Sequence, residues 1–241
     1  MQLEALEIFS DLLFRFGNVM TIYHSSIKTA LMPLLKNSRT AVCKRAITCL
    51  AYMTITCKDE HYNEIMDFLL ERLKLSSATE AKIYINCIAT ICKHSGSRMD
   101  SYLKAIIELT IKFIDDSDDD LKEACFQIFE VFVRRCPKEV SPYIETIVKL
   151  SLKYISYDPN YNYDDDENDD EDMEMDNGEA DEDGASEEDY SDDDDMSWKV
   201  RRASAKTLEI IILTRLDLLE DFYKNISPKI IVQFKGLFCF S

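Results

Sequence analysis

Glycine and proline are scarce in this chain of 241 residues, with five of each. An all-β protein needs them at its many tight turns, so their scarcity argues against that class. Long apolar runs are missing too, since none reaches the roughly 18 residues of a membrane-spanning helix. The first residues, MQLEALEIF, carry acids where a secretion signal carries bases. We therefore expect a soluble, intracellular protein located in the cytoplasm, the nucleus or both.

The sequence also lacks the short motifs of common enzymes. It has no glycine-rich phosphate loop, dinucleotide-binding pattern, HExxH, GxSxG or protein-kinase signature. His24, His61 and His94 lie at roughly even intervals, which favours a structural repeat over a catalytic or metal site. We therefore predict a non-enzymatic protein with no catalytic residue, no cofactor, no metal site and no small-molecule substrate.

Cysteine pairs of the CxxC type are absent, although the chain has eight cysteines. Most of them stand where a helical pattern requires an apolar residue. We predict reduced thiols in a hydrophobic core and a reducing compartment, with a zinc site as the alternative interpretation. The eight are Cys43, Cys49, Cys57, Cys87, Cys92, Cys125, Cys136 and Cys239.

Positive charge is missing from one long stretch, residues 158–195. This acidic tract holds 22 of the 46 acids and no Lys or Arg, which leaves 24 acids against 28 bases in the rest of the chain. The net charge of -18 therefore comes from the tract alone. Self-repulsion and few aliphatic residues prevent a core there. We predict a disordered insert at 158–195 between helical repeats at 1–157 and 196–241.

A triplet recurs through the remaining sequence: an apolar residue, a small residue four positions later and an apolar residue eight positions later. The starts are 41, 41, 38 and 79 residues apart, and the last interval becomes 41 when the 38-residue tract is removed. Residues four and eight apart lie on one helix face, and a small central residue lets a neighbouring helix approach closely. The triplets begin at Met1, Val42, Ile83, Leu121 and Val200, with central residues Ala5, Ala46, Cys87, Cys125 and Ser204.

A second amphipathic segment follows each triplet, as at 101–114 and 141–155. We expect helices to begin at Ser117, at Ser141-Pro142 and at Ser227-Pro228, and a helix to end before Pro137. Two helices per forty or so residues indicate an all-α solenoid of the HEAT or armadillo type, with about five helix pairs. Stacked pairs of this kind form a curved, extended surface that binds other macromolecules.

Five basic residues are candidate partner contacts. Repeats of this type also use Lys and Arg for ladders between neighbouring repeats, and we favour that structural role. The four surplus positive charges outside the tract are too few to indicate specific nucleic-acid binding. The five candidates are Arg134, Arg135, Lys199, Arg201 and Arg202.

Two serines of the tract precede acids, in SEED and SDDD. Acidophilic kinases prefer this context, so Ser186 and Ser191 are candidate phosphorylation sites, where phosphate would deepen the negative charge. A spacer without a regulatory role is an equal alternative, because long loops cost little free energy.

Four strings carry a resemblance to a known family: QLEAL at 2–6, VRRCPKE at 133–139, YDPNYNYD at 157–164 and YSDDDDMSWKVRRAS at 190–204. Together they resemble the cullin-associated, neddylation-dissociated proteins, with the acidic insert at the corresponding place between repeats. The similarity runs over nearly the whole chain. It covers an interior part of the family's N-terminal half, so we expect this chain to be an incomplete piece.

The resemblance implies a HEAT-repeat scaffold that binds unneddylated cullins with their RING subunit and promotes exchange of substrate receptors on cullin-RING ubiquitin ligases. It implies a binding factor, with no nucleic acid and no membrane among its partners. The alternative is a karyopherin-like transport receptor, because the HEAT arrays of that class also carry acidic loops.

Overall fold

The computed structural model describes residues 2–157 and 196–231, and these two ranges contain helices and no β-strand. None of the helices described is long and apolar enough to cross a membrane. A 3-10 segment, Met32–Lys36, continues α2, and a π-helical segment, Phe222–Ile226, continues α10. The α-helices are α1 Gln2–Phe16, α2 His24–Leu31, α3 Thr40–Thr56, α4 Asp59–Leu75, α5 Ala78–Ser95, α6 Asp100–Phe113, α7 Asp119–Arg135, α8 Ile144–Tyr154, α9 Ser197–Thr214 and α10 Leu219–Asp221.

The helices form five pairs stacked in chain order. The first helices of the pairs, α1, α3, α5, α7 and α9, each pack against the next, and α9 packs on α7 across the position of the insert. Among the second helices, α2 packs against α4 and α4 packs against α6, whereas α8 packs against the first helix α9. The predicted all-α solenoid of about five helix pairs is confirmed. Each pair contacts its neighbours in the stack, as in other repeat proteins.

Small residues lie at the centres of the contacts between first helices. Ala46, Cys87, Cys125 and Ser204 are each 0% exposed, as the triplets predict. The first triplet is wrong: Ala5 is exposed, and α1 instead buries Leu6, Ser10 and Leu13. Among the described first helices α1 packs against α3, and Ala5 is not on the face that this contact buries.

Two of the predicted helix starts need correction. The N-cap of α7 is Asp118, whose Oδ1 accepts a hydrogen bond from the Leu121 amide at 3.0 Å, one residue after the predicted Ser117. Residues 227–231 are α-helical as predicted for Ser227-Pro228, but they continue directly from the π segment and are not a separate element. Pro228 has no backbone N–H, so it cannot donate a hydrogen bond to the preceding turn. The π segment before it already departs from the α-helical hydrogen-bond pattern and is compatible with this missing donor. The other two predictions are confirmed: Ser141–Tyr143 opens into α8, and α7 ends at Arg135.

Ion pairs link residues about one repeat apart. None of the five candidate basic residues takes part in these ladder pairs, most of which are solvent-exposed and contribute only about 0 to 1 kcal/mol each. Their main effect is to favour one register between neighbouring helix pairs. The pairs are Arg45–Glu7 at 2.8 Å, Lys36–Glu80 at 3.1 Å, Arg98–Asp59 at 2.7 Å, Lys153–Asp115 at 3.1 Å, Lys28–Glu64 and Lys82–Asp120.

Ala46→Asp should destabilise the stack by about 3 to 5 kcal/mol, because it buries an unpaired charge where α3 meets its neighbours. Ala5→Asp is the matched control, since Ala5 has the same place in its triplet but is exposed. We expect Ala5→Asp to change stability by less than about 0.5 kcal/mol. Urea unfolding followed by far-ultraviolet circular dichroism measures both, and equal losses in the two variants would contradict the observed packing of α1.

Candidate protein interaction surface

The five candidate partner contacts lie on two neighbouring first helices. Arg134 and Arg135 form the end of α7, and Lys199, Arg201 and Arg202 lie in the first two turns of α9. Since α7 and α9 pack against each other, all five belong to the same part of the stack. Their surroundings nevertheless differ, and only some are available to a partner.

Arg134 is exposed but pairs within its own helix, where Nε donates to Glu130 Oε1 at 3.1 Å. Arg135 is also exposed, and its Cβ lies against the turn after α5: a Cβ added at Gly96 would lie 2.9 Å from it. Glycine therefore permits this close approach. The pKa of the nearby His94 is lowered, first by burial and then by the charge of Arg135.

Arg201 joins the two sides of the insert. Its Nη1 donates to the carbonyl oxygen of Tyr157 at 2.8 Å and to Ser197 Oγ at 2.6 Å. Tyr157 is the last described residue before the insert, and Ser197 is the first residue of α9. The chain therefore leaves and re-enters the stack at one corner. This explains how α9 continues the array in spite of 38 additional residues.

Tyr157 is also held by the preceding first helix, α7. Its hydroxyl donates to Asp119 Oδ1 at 3.0 Å and accepts from Lys122 Nζ at 2.9 Å. Burial acts to lower the pKa of Lys122, but hydrogen bonds to Asp119 and Tyr157 outweigh it, so the pKa is raised. Lys122 and Arg201 each follow the first apolar residue of their triplet, which means that equivalent positions of two repeats hold Tyr157.

Lys199 and Arg202 line an open groove between α5, α7 and α9, which encloses about 440 Å³. The nearly buried side chains of Val131 and Ala203 belong to its lining. Trp198 stands on the α9 side of the groove with 47% of its surface exposed. We call this surface, with Lys93 and Lys206 at its border, the α5–α7–α9 groove.

None of the four cations of the α5–α7–α9 groove forms an ion pair within residues 2–157 and 196–231. The hydrogen bond from Lys82 lowers the pKa of Asp120, and the charge of Lys199 adds to this lowering. Of the two acids on the α7 wall, Glu130 pairs with Arg134, whereas Glu123 accepts a hydrogen bond at 2.8 Å from the neutral amide of Gln127 and keeps its charge. With four cations against two acids, the lining of the groove carries a net positive charge. Its four cations are Lys93, Lys199, Arg202 and Lys206.

Three residues of the groove, Trp198, Lys206 and Lys93, are not among the candidates that the sequence predicts. A local signal existed for two of them: Trp198, Arg202 and Lys206 are spaced four residues apart and so share one helix face. Lys93 has no such signal, because it reaches the groove only through the stacking of α5 beside α7.

The histidines and cysteines provide no metal centre in the described part of the chain, where no three metal-ligating side chains converge. Seven of the eight cysteines are free and buried, as predicted for core thiols. Cys92 and Cys136 approach to 3.8 Å between their sulfur atoms. Cys239 and the two candidate phosphorylation sites, Ser186 and Ser191, lie outside the described residues, as does the predicted disordered insert.

His24 is 1% exposed, and neither of its ring nitrogens has a hydrogen-bond partner in the part of the chain that is described. Burial lowers its pKa from the ordinary value of 6.5, the backbone of Gly17 acts in the opposite direction, and the neighbouring His61 adds to the lowering. Burial therefore favours the neutral form of His24.

Comparison with known proteins identifies the sequence class. Residues 6–167 match the family described as "Stalled ribosome sensor GCN1-like, HEAT repeats". The chain is 45% identical to Cullin-associated NEDD8-dissociated protein 1 of Drosophila melanogaster, across 97% of this chain and 19% of that protein. It is 43% identical to Cullin-associated NEDD8-dissociated protein 2 of Rattus norvegicus (97% and 18%) and 36% identical to Cullin-associated NEDD8-dissociated protein 1 of Arabidopsis thaliana (96% and 19%). The chain thus spans about a fifth of the length of these relatives.

Arg201→Met should loosen the junction between α8 and α9, because it removes both hydrogen bonds and keeps most of the aliphatic side chain. We expect a loss of about 1 to 2 kcal/mol, since the donor is charged but partly exposed. Hydrogen exchange, read by mass spectrometry, should accelerate in the first two turns of α9. Arg202→Met is the control and should leave exchange unchanged; similar exchange in both variants would mean that Arg201 does not join the two helices.

His24→Gln should flatten the fall of stability below neutral pH. Because the folded-state pKa of His24 is lowered, the unfolded chain binds more protons once the pH falls below 6.5. The stabilisation by neutral His24 is therefore complete above that pH and is lost as the pH falls. Urea midpoints between about pH 7.5 and pH 5.5 measure the slope, part of which His94 retains. Parallel curves for the variant and the original chain would contradict this role of His24.

Proposed function

Because this chain belongs to the HEAT-repeat family, and within it to the cullin-associated NEDD8-dissociated proteins, we propose that it is a non-enzymatic scaffold that regulates cullin-RING ubiquitin ligases. The observation that carries the proposal is the similarity to these relatives over 96 to 97% of the chain. It includes both sides of the acidic insert.

The stack of helix pairs supports a binding function. The second helices α4, α6 and α8 present exposed charges of both signs, among them Lys104 and Lys112 on α6. Of the large apolar residues in these three fully described helices, only Leu75 is markedly exposed. A long, charged surface of this kind acquires affinity from many modest contacts spread over several repeats. We propose that the second-helix face, α4, α6 and α8, makes the cullin contact.

The finer parts of the proposal come from the family resemblance. The chain would prefer cullins that do not carry the modifier, would contact the RING subunit, and would assist exchange of substrate receptors. It would do so in the cytoplasm, the nucleus or both. Receptor exchange requires that the scaffold and the receptor module compete for one cullin assembly, so it depends on the rest of the longer proteins that this chain resembles.

The karyopherin-like alternative is not favoured. The relatives reported above are cullin-associated proteins, and their similarity extends through the repeats on both sides of the insert. The acidic insert alone does not distinguish the two classes, because HEAT-repeat transport receptors also carry acidic loops.

A pull-down with immobilised chain tests the function. We expect the unmodified cullin-RING complex to be captured in preference to the NEDD8-modified complex, at moderate salt. Lys104→Glu/Lys112→Glu should weaken capture several-fold, because it reverses two charges on the second-helix face. Arg202→Glu/Lys206→Glu, which reverses two charges in the α5–α7–α9 groove, is the matched control and should retain capture.

Three results of this pull-down would count against the proposal. Equal capture of both complexes would contradict the preference for the unmodified cullin. Full capture by Lys104→Glu/Lys112→Glu would place the contact on another face. Capture of neither complex would mean that these repeats do not form a cullin-binding unit.

A further inference from the structure

We propose that the α5–α7–α9 groove binds an extended segment of a partner protein that carries one aromatic residue followed or preceded by alternating acidic residues. This proposal does not rest on the cullin-scaffold function, which uses the second-helix face. It rests on three observations: unpaired cations, an exposed tryptophan and their spacing along α9.

Charge complementarity indicates an acidic occupant. Some basic residues of the first helices pair with an acid of a neighbouring repeat, as Arg45 does with Glu7 and Lys82 with Asp120. The four groove cations form no ion pair of this kind within the described ranges, and they outnumber the two acids of the lining, Glu123 and Glu130. Carboxylates of a bound segment would therefore find cations whose charge is not yet compensated.

The exposed indole of Trp198 indicates that the occupant is also aromatic. It is the single tryptophan of the chain, and the nearly buried Val131 and Ala203 lie in the same groove lining. Tryptophan and arginine are the residues most often responsible for binding energy at protein interfaces. The Lys199 ammonium lies 6.0 Å from the indole ring, so a second ring stacked there would meet both an aromatic face and a cation.

The spacing of the α9 residues defines the pattern of the occupant. Trp198, Arg202 and Lys206 follow one another at four-residue intervals, which separates them by about 6 Å along the helix axis. In an extended peptide, residues two apart lie on one side and about 7 Å from each other. An aromatic residue over Trp198 would thus place acids two and four positions away against Arg202 and Lys206.

The negative charge of a ligand would not by itself be enough for selective binding in this groove. The 22 acids of the insert precede α9 in the sequence, and they repel any polyanion that approaches. Nucleic-acid bases also stack on tryptophan, so the aromatic contact alone does not separate the two classes of ligand. The proposed occupant is distinguished by carboxylates at the spacing of Arg202 and Lys206, and an oligothymidylate tests this distinction.

Trp198 fluorescence in the full chain tests the proposal, because no other tryptophan contributes. The probe is a synthetic peptide with one Phe and Glu at the second and fourth positions after it, in a Gly-Ser background; a second peptide has the reverse order. We expect one of them to change the Trp198 emission with saturation, and Arg202→Glu/Lys206→Glu to weaken its affinity at least tenfold. Lys104→Glu/Lys112→Glu, which changes the same charge on α6, should leave the affinity unchanged.

A fluorescein-labelled copy of the peptide measures the role of the indole by anisotropy. Trp198→Ala should reduce the affinity at least tenfold, whereas Tyr23→Ala, which removes an aromatic residue that is 57% exposed elsewhere, should not. Circular dichroism spectra of both variants are the control that their helices are retained.

Several outcomes would overturn the proposal. These are equal binding of a peptide with Ala in place of Phe, equal or tighter binding of an oligothymidylate at the same salt, or equal loss of affinity in the α6 control variant. Unchanged peptide binding in all of these variants would also overturn the proposal. Cullin capture is read separately in the same variants, so failure of the groove proposal is distinguishable from failure of the scaffold proposal.

Discussion

The close approach of first helices at one small buried residue per helix is the constraint on which the rest of this structure depends. Ala46, Cys87, Cys125 and Ser204 stand at these contacts without measurable exposure. A larger or charged residue at any of them would separate two neighbouring helices and change the offset between their pairs. The polar links between repeats require that offset, because most of them join residues about forty positions apart, such as Arg45 and Glu7, and those across the insert join more distant residues, such as Thr207 and Phe126.

The offset also separates two kinds of basic residue that look alike in the sequence. Arg201 and Lys122 reach back to Tyr157 and close the corner from which the insert leaves. Arg202, the neighbour of Arg201 in sequence, points to a groove instead and forms no ion pair in the described part of the chain. One helical position, 100° of rotation, is enough to make one arginine a structural link and the next a candidate contact.

The sequence alone predicts the features that repeat or that depend on neighbours within one helix. The triplets, the number of helix pairs and the place of the insert all belong to this class. Ala5 was mispredicted because burial of α1 depends on which helices flank it, and this is not encoded within α1. Ser117 was preferred to Asp118 because both can cap a helix and only the backbone path decides between them. The groove was missed because Lys93 meets Trp198 and Arg202 only after three helix pairs have stacked.

The position of the insert matters more than its length. The other connections from a second helix to the next first helix are short, at 37–39, 76–77 and 114–118, and only the fourth is extended. Long additions to a surface loop cost little entropy provided that the two ends are held together, and Arg201 holds them. Because the same corner starts α9, the acids Asp192 to Asp195 come directly before the helix that carries Trp198, Arg202 and Lys206. The proposed occupant of the groove therefore has to offset repulsion by this acidic sequence, and its aromatic contact with Trp198 is the part of the interaction that negative charge does not weaken.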